Sequence, residues 1–419
     1  MKRFLDFVIS WICVFVLALL LVRPAHSENE SLNPDFPAYS DLSGYISGEV
    51  YLFPRSGLVR DPNRWVASLA VEPEYYAEYG ADFTLTFRPF LRVDSADSKR
   101  TRGDIREFLL QSNYGDWYYS LGIGKVFWGV AESKHLIDIV NQTDLIESIN
   151  GEAKLGQPMA QLSRNLGSGF LELFLMPHFR ERTFPSQSGR FRNAAVVDTN
   201  RVTYDTRMQE WRPDFAARYN ASVDNWDLGF AQFYGTSREP SLSVGVNATG
   251  GSILIPRYDL VSQTSADIQY TSGAWLWKLE ALYRLGQKNI LGVEQNYYSS
   301  VGGIEHSIYG IGGGNTDLGL LAEYMWDSRL SLATDPLHQH AFFGVRIGLN
   351  DEADSQALLG VIGDLNSSTR QYFLEASRRV SDGIKATFEI QLFSSISDND
   401  PFQGLKNDDF ARFELAYFY

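Results

Sequence analysis

D-F-A-R-F-E-L-A-Y-F-Y, from Asp409 to Tyr419, decides how this chain is read. Phe413, Leu415, Tyr417 and Tyr419 alternate with Arg412, Glu414, Ala416 and Phe418. Successive side chains of a β-strand point to opposite faces, so one face of this segment is apolar and the other carries the charges Arg412 and Glu414. Such a strand suits a wall between hydrocarbon and water.

The same alternation recurs upstream. Leu69, Val71, Pro73, Tyr75, Ala77 and Tyr79 oppose Ser68, Glu72, Glu74 and Glu78. Phe83, Leu85, Phe87, Leu91 and Val93 oppose Arg88 and Arg92; Phe215, Ala217 and Tyr219 oppose Arg218. Trp275, Trp277 and Leu279 oppose Lys278, Glu280 and Arg284, and Phe343, Val345 and Ile347 oppose Arg346. These segments run to about 10 to 14 residues, the reach of a tilted membrane strand or slightly more, whereas soluble strands are nearer 5 or 6. Short Gly-, Asp- and Asn-rich turns alternate with long connections, as expected where one rim faces the periplasm and the other the outside. The pattern predicts an all-β fold, a transmembrane antiparallel barrel of about 18 strands with 16 as the alternative, running from Gly44 to Tyr419. Gly156 to Asn165 and Ile253 to Gln263 are its weakest strands.

The other end gives an independent constraint. Lys2 and Arg3 precede an apolar run from Phe7 to Val22, and Ala25-His26-Ser27 supplies small residues for a peptidase. Residues 1–27 are therefore expected to be a cleaved export signal, with 28–43 a flexible lead. Cleavage would remove Lys2, Arg3 and Arg23 against Asp6, leaving a chain more acidic than its net −14. That charge argues against a general affinity for nucleic acid. The one cysteine, Cys13, falls inside the signal, so no disulfide framework is expected. No cofactor or metal motif is present, and no nucleophile elbow or phosphate loop was found, so no enzyme activity is expected.

A barrel of this size is too wide for side chains alone to fill. The expected inward charges, Arg88, Arg92, Arg218, Lys278, Arg284 and Arg346 with Glu72, Glu74 and Glu78, either form opposed rings that sieve solutes or pair across neighbouring strands. The third long loop, 129–158, carries apolar residues that would not sit free in solvent. It is expected to form a short helix and either to fold inward, bringing Glu132, His135, Asp138 and Asp144 to a constriction, or to cover the rim from outside. The loop 178–212 holds seven arginines against four carboxylates, with Arg180, Arg182, Arg190 and Arg192 the candidates for contacting an anionic ligand.

The signal, the strand-turn rhythm and the aromatic ending resemble a Gram-negative outer-membrane β-barrel of the porin-like kind. Gly124 to Ser133, G-K-V-F-W-G-V-A-E-S, is loosely similar to a Trp-Gly strand end of large uncharacterised barrels, and the strand number is similar to that of alginate-export and substrate-specific porins. The ending differs from the terminal Phe usual in trimeric porins. The resemblance implies outer-membrane lipid and lipopolysaccharide as surroundings, and the barrel assembly machinery as a partner reading Phe413, Leu415, Tyr417 and Tyr419. It implies a channel for small polar or anionic solutes. An acidic-polysaccharide pore and a plugged structural barrel are the alternatives.

Overall fold

The computed structural model describes residues 37–57, 64–80, 83–398 and 400–419. The expected signal and most of the expected lead lie outside the described residues. Among the described residues there are twenty-two strands: β1 (Tyr39–Leu52), β2 (Trp65–Tyr79), β3 (Phe83–Asp94), β4 (Arg102–Tyr114), β5 (Trp117–Gly124), β6 (Gln157–Asn165), β7 (Gly169–Met176), β8 (Val196–Val197), β9 (Thr203–Tyr204), β10 (Asp214–Val223), β11 (Trp226–Thr236), β12 (Ser241–Val246), β13 (Ser252–Tyr258), β14 (Leu260–Ser272), β15 (Trp275–Leu285), β16 (Tyr297–Ile308), β17 (Asp317–Asp327), β18 (Gln339–Gly348), β19 (Gln356–Asp364), β20 (Arg370–Ser381), β21 (Ile384–Ser394) and β22 (Phe410–Phe418).

Eighteen of them form one sheet in which each pairs antiparallel with its chain neighbour, β8, β9, β12 and β13 standing outside it. The sheet closes where β1 meets β22, from Tyr45 opposite Phe418 to Leu52 opposite Ala411. Closure leaves no wall strand with an unpaired edge, which is the condition for a sheet to cross hydrocarbon. The alternation then does what its spacing dictates. Phe413, Leu415, Tyr417 and Tyr419 are exposed on the outer surface, while Arg412 and Glu414 pair at 2.8 Å on the inner one.

Local chemistry sets the joints. The turn after Tyr309 carries three glycines at positive φ, Gly310 (63°), Gly312 (66°) and Gly313 (78°), a backbone that side chains with a Cβ resist. In β3 the register shifts between Arg88 and Pro89, where proline can donate no ladder hydrogen bond. That bulge accounts for the break in alternation between Phe87 and Leu91.

Two boundaries differ from expectation. The first strand begins at Tyr39 rather than Gly44, because Tyr39 to Ser43 continue the ladder opposite Glu78 to Glu74. Ile253 to Gln263 is not one strand. The chain turns at Asp259, whose carboxylate accepts the Lys288 N–H at 2.8 Å. Before it, β13 pairs with β12 and, in parallel, with β8 and β9 in a small sheet outside the wall; after it, β14 pairs with β11.

The interior is not uniformly polar. Trp128, Ile137, Ile139 and Val140 pack with Met159, Phe174, Met176 and Phe233 against one side of the wall. Tyr51, Phe53 and Phe410 form an aromatic cluster at the seam, joined by Phe191 from the loop between β7 and β10.

Candidate functional site

The segment between β5 and β6, residues 125–156, carries the site. It leaves the wall at Gly124 and is held by carboxylates far round the barrel. The Glu280 carboxylate on β15 accepts the N–H groups of Val130 (2.7 Å), Ala131 (2.8 Å) and Ile137 (3.2 Å). Glu323 on β17 accepts those of Glu132 and Ser133, both at 2.8 Å. Arg346 on β18 pairs with Glu132 at 2.6 Å, and Lys134 pairs with Asp335 at 2.9 Å in the loop before β18. Strands β15, β17 and β18 lie on the side of the ring away from β5. Glu280 is wholly buried, and neither it nor Glu323 has an ion-pair partner among the described residues. Backbone N–H groups, joined at Glu323 by the Ser133 hydroxyl, direct their dipoles at these carboxylates, as at a helix N-terminus.

This replaces the expected short helix. Residues 125–156 contain turns and bends but no helical element. The N–H groups that a helix would give to carbonyls four residues back go to Glu280 and Glu323 instead. Gly129 makes the approach feasible: its φ is +144°, and a Cβ there would sit 2.7 Å from Glu280 Oε1.

The chain then turns back toward its own side. Asn141, fully buried, ties the two ends of the segment together. Its Oδ1 accepts the Val126 N–H at 2.8 Å, and its Nδ2 donates to the Gly124 carbonyl at 2.9 Å and the Leu155 carbonyl at 2.8 Å. His135 meets Glu152 at 2.8 Å, and Asp138 meets Lys154 at 3.0 Å. Burial drives the Asp138 carboxyl above its ordinary value, with Lys154 offsetting only part of that rise. Asp144 and Glu147 leave this group and bind wall arginines: Asp144 pairs with Arg102 and, at 2.8 Å, with Arg106; Glu147 meets Arg92 at 2.5 Å. Burial would raise the Asp144 carboxyl, but Arg102 and Arg106 outweigh it and hold it below the usual range.

The expected lumen charges point inward, and the basic ones are paired. Arg88 contacts Glu72 (2.7 Å), Glu107 (3.0 Å) and Glu74 (3.3 Å). Arg92 meets Glu49 at 2.9 Å, Arg218 meets Asp267 at 2.8 Å, Lys278 meets Glu305 at 3.4 Å and Arg284 meets Glu239 at 3.4 Å. Glu78 accepts the Tyr76 hydroxyl at 3.0 Å. Arg88 and Lys278 pair with carboxylates on adjacent strands, Arg92 and Arg218 reach one strand further, and Arg284 and Arg346 pair with Glu239 and Glu132 from the connecting segments.

The arginine-rich loop also turns inward. Arg180 donates to Asp104 and to the Gly156 carbonyl, both at 2.8 Å. Arg182 donates to Gln142 at 3.3 Å. Arg190 is buried, bonded to Asp408 at 2.8 Å and stacked over Phe53 at 4.0 Å. Arg192 donates to the Gln187 carbonyl at 2.8 Å and the Asn193 carbonyl at 3.0 Å. Arg180, Arg182 and Arg190 fasten the loop to residues outside it, whereas Arg192 bonds within the loop itself.

No family model matches this chain, and no curated protein sequence matches it. Solved structures match over nearly its whole length. A BenF-like porin from Pseudomonas fluorescens Pf-5 superposes with a TM-score of 0.52 at 10% identity, covering 92% of this chain and 99% of that one. Pseudomonas aeruginosa OpdK, solved with vanillate, gives 0.51 at 10% identity over 92% and 99% of the two chains. The likeness is one of fold: this chain has the closed 18-strand architecture of outer-membrane porins.

Proposed function

We propose that the protein is a passive channel of the Gram-negative outer membrane for small polar solutes, narrowed by residues 125–156. The observation that carries this reading is the pair of inward carboxylates, Glu280 and Glu323, that grip the backbone of Val130 to Ser133 on the far wall. A segment that crosses a wide barrel and is clamped at its far side leaves solutes a restricted passage beside it. Hydrogen bonds to charged groups are each worth roughly 1.5–3 kcal/mol, so five of them hold the crossing firmly. The exposed belt of Trp277, Leu279, Phe343, Phe413 and Leu415 supports a lipid setting, with lipopolysaccharide at the outer rim. The alternating outward residues Phe413, Leu415, Tyr417 and Tyr419 suit recognition by the barrel assembly machinery.

Internal pairing of the wall arginines favours polar solutes in general over anions in particular, and gives no special support to an acidic-polysaccharide pore. Liposome swelling with a graded panel of neutral sugars and amino acids tests the proposal. Swelling that declines with solute size supports it; vesicles that remain tight to every solute, with the barrel correctly inserted, refute it in favour of a plugged barrel.

A further inference from the structure

One stretch of the inner wall is greasy. Phe342 on β18 and Phe373 on β20 stack at 5.9 Å with planes 14° apart. Both rings fill the space that glycines leave: a Cβ on Gly344 would come within 2.5 Å of Phe342, and one on Gly360 would clash with both Phe373 and Phe342. Leu358 and Ile362 on β19 extend this surface, and Leu136 from the crossing segment packs against it. Phe342 is fully buried, whereas Phe373, Leu358 and Ile362 remain partly open on the inner side. The sequence explains why this is unusual: Ala357 to Gly363, A-L-L-G-V-I-G, is apolar on both faces. Polar groups flank the strip, with Arg346 opposite Leu358 on one side and Glu375 opposite it on the other.

Resting on the channel reading above, we propose that this strip is a specificity surface, and that the channel favours neutral polar solutes carrying a flat apolar ring. An apolar ring displaces water from Phe373, Leu358 and Ile362, while its polar substituents stay hydrated or meet the flanking side chains. Recognition comes through the ring face and not through an anionic group, because Arg346 already pairs with Glu132 and Glu305.

The test uses the full chain in planar bilayers, with phenyl β-D-glucoside and methyl β-D-glucoside as probes. The phenyl compound is expected to interrupt the open-channel current at a concentration roughly tenfold lower, the size of one aromatic contact. Phe373→Ser should bring the ratio close to one with the salt conductance retained, and Leu358→Thr, made separately, should reduce it in part. Phe343→Ser, on the outer face of β18 next to Phe342, should leave it unchanged. Equal potency in the unaltered chain overturns the inference while leaving a channel, as does a preference that survives both inner substitutions. No current from the unaltered chain overturns the channel reading itself, and the inference with it.

Discussion

Gly129 and Glu280 meet although they sit far apart in the sequence and on different parts of the wall. The absent Cβ of Gly129 is the space that the Glu280 Oε1 occupies, at 2.7 Å from where it would stand. From that point the chain lies clamped, its next N–H groups directed to the same carboxylate.

Gly129→Ala should therefore push the crossing segment off its latch, both through the clash and through a φ of +144° that L-residues rarely adopt. The expected result is a larger and noisier single-channel conductance, with faster protease cleavage within residues 132–152. Unchanged conductance and cleavage would show that the segment tolerates the displacement.

Glu280→Gln and Glu323→Gln replace anions by neutral amides, each of which keeps one oxygen acceptor but adds an NH₂ facing backbone donors. Each is expected to destabilise the segment by about 1–3 kcal/mol, and the two together by more than either. The measurement is the temperature at which the detergent-solubilised barrel loses its compact gel mobility, alongside conductance. A double variant that matches the parent in both would show that the latch carries no weight.

Asn141 has three short hydrogen bonds in a fully buried position, so Asn141→Ala leaves one N–H and two carbonyls without this partner. A loss of about 1–3 kcal/mol is expected in denaturant unfolding. Because Asn141 ties the segment's own ends, its loss should also widen the distribution of open-channel currents.

The His135–Glu152 contact makes the segment pH-sensitive in a defined direction. Burial alone would lower the imidazole, but the hydrogen bond and charge of Glu152 outweigh it and hold it above its ordinary value. Its contribution is complete below the unfolded value of about 6.5 and is lost as the pH climbs through the higher folded value. Burial would raise Glu152, but His135 and Lys154 hold it below the usual carboxylate range, so its contribution is lost only as the pH falls through that lowered value. Current noise should therefore rise on the alkaline side, and His135→Gln should abolish that rise. The same alkaline rise in the variant would assign it to another group.

How much of this was legible in the sequence follows from the range of the interactions. The wall strand from Trp275 declares itself because a period of two is local, and each residue's face follows from its neighbours. Strand number and the C-terminal seam followed from the same signal. The latch was not legible, since Val130 and Glu280 are 150 positions apart and no local pattern links a loop N–H to a distant carboxylate. The helix expected around His135 failed for that reason: tertiary acceptors took its donors. The inner apolar strip left a signal in the unbroken run from Ala357 to Ile362, which breaks the alternation and marks a wall section apolar on its inner face as well as its outer one. The arginine-rich loop misled because charge content does not reveal whether a guanidinium faces solvent or a buried carboxylate such as Asp408.

The lipid-facing assignment predicts an asymmetry within one strand. Leu415→Arg should cost about 2–4 kcal/mol if it lies near the bilayer midplane, with poor membrane assembly, whereas Glu414→Gln on the inner face should assemble normally. Comparing heat-modifiable mobility of the two variants in outer-membrane fractions checks this. Equal assembly would contradict the orientation of β22.

The most direct measurement is single-channel conductance of the full chain in planar bilayers, compared with a variant lacking Glu132 to Glu152. The account predicts steady open-state steps for the full chain and distinctly larger steps for the deletion. Steps of the same size in both, or none from either despite correct insertion, would contradict a lumen narrowed by this segment.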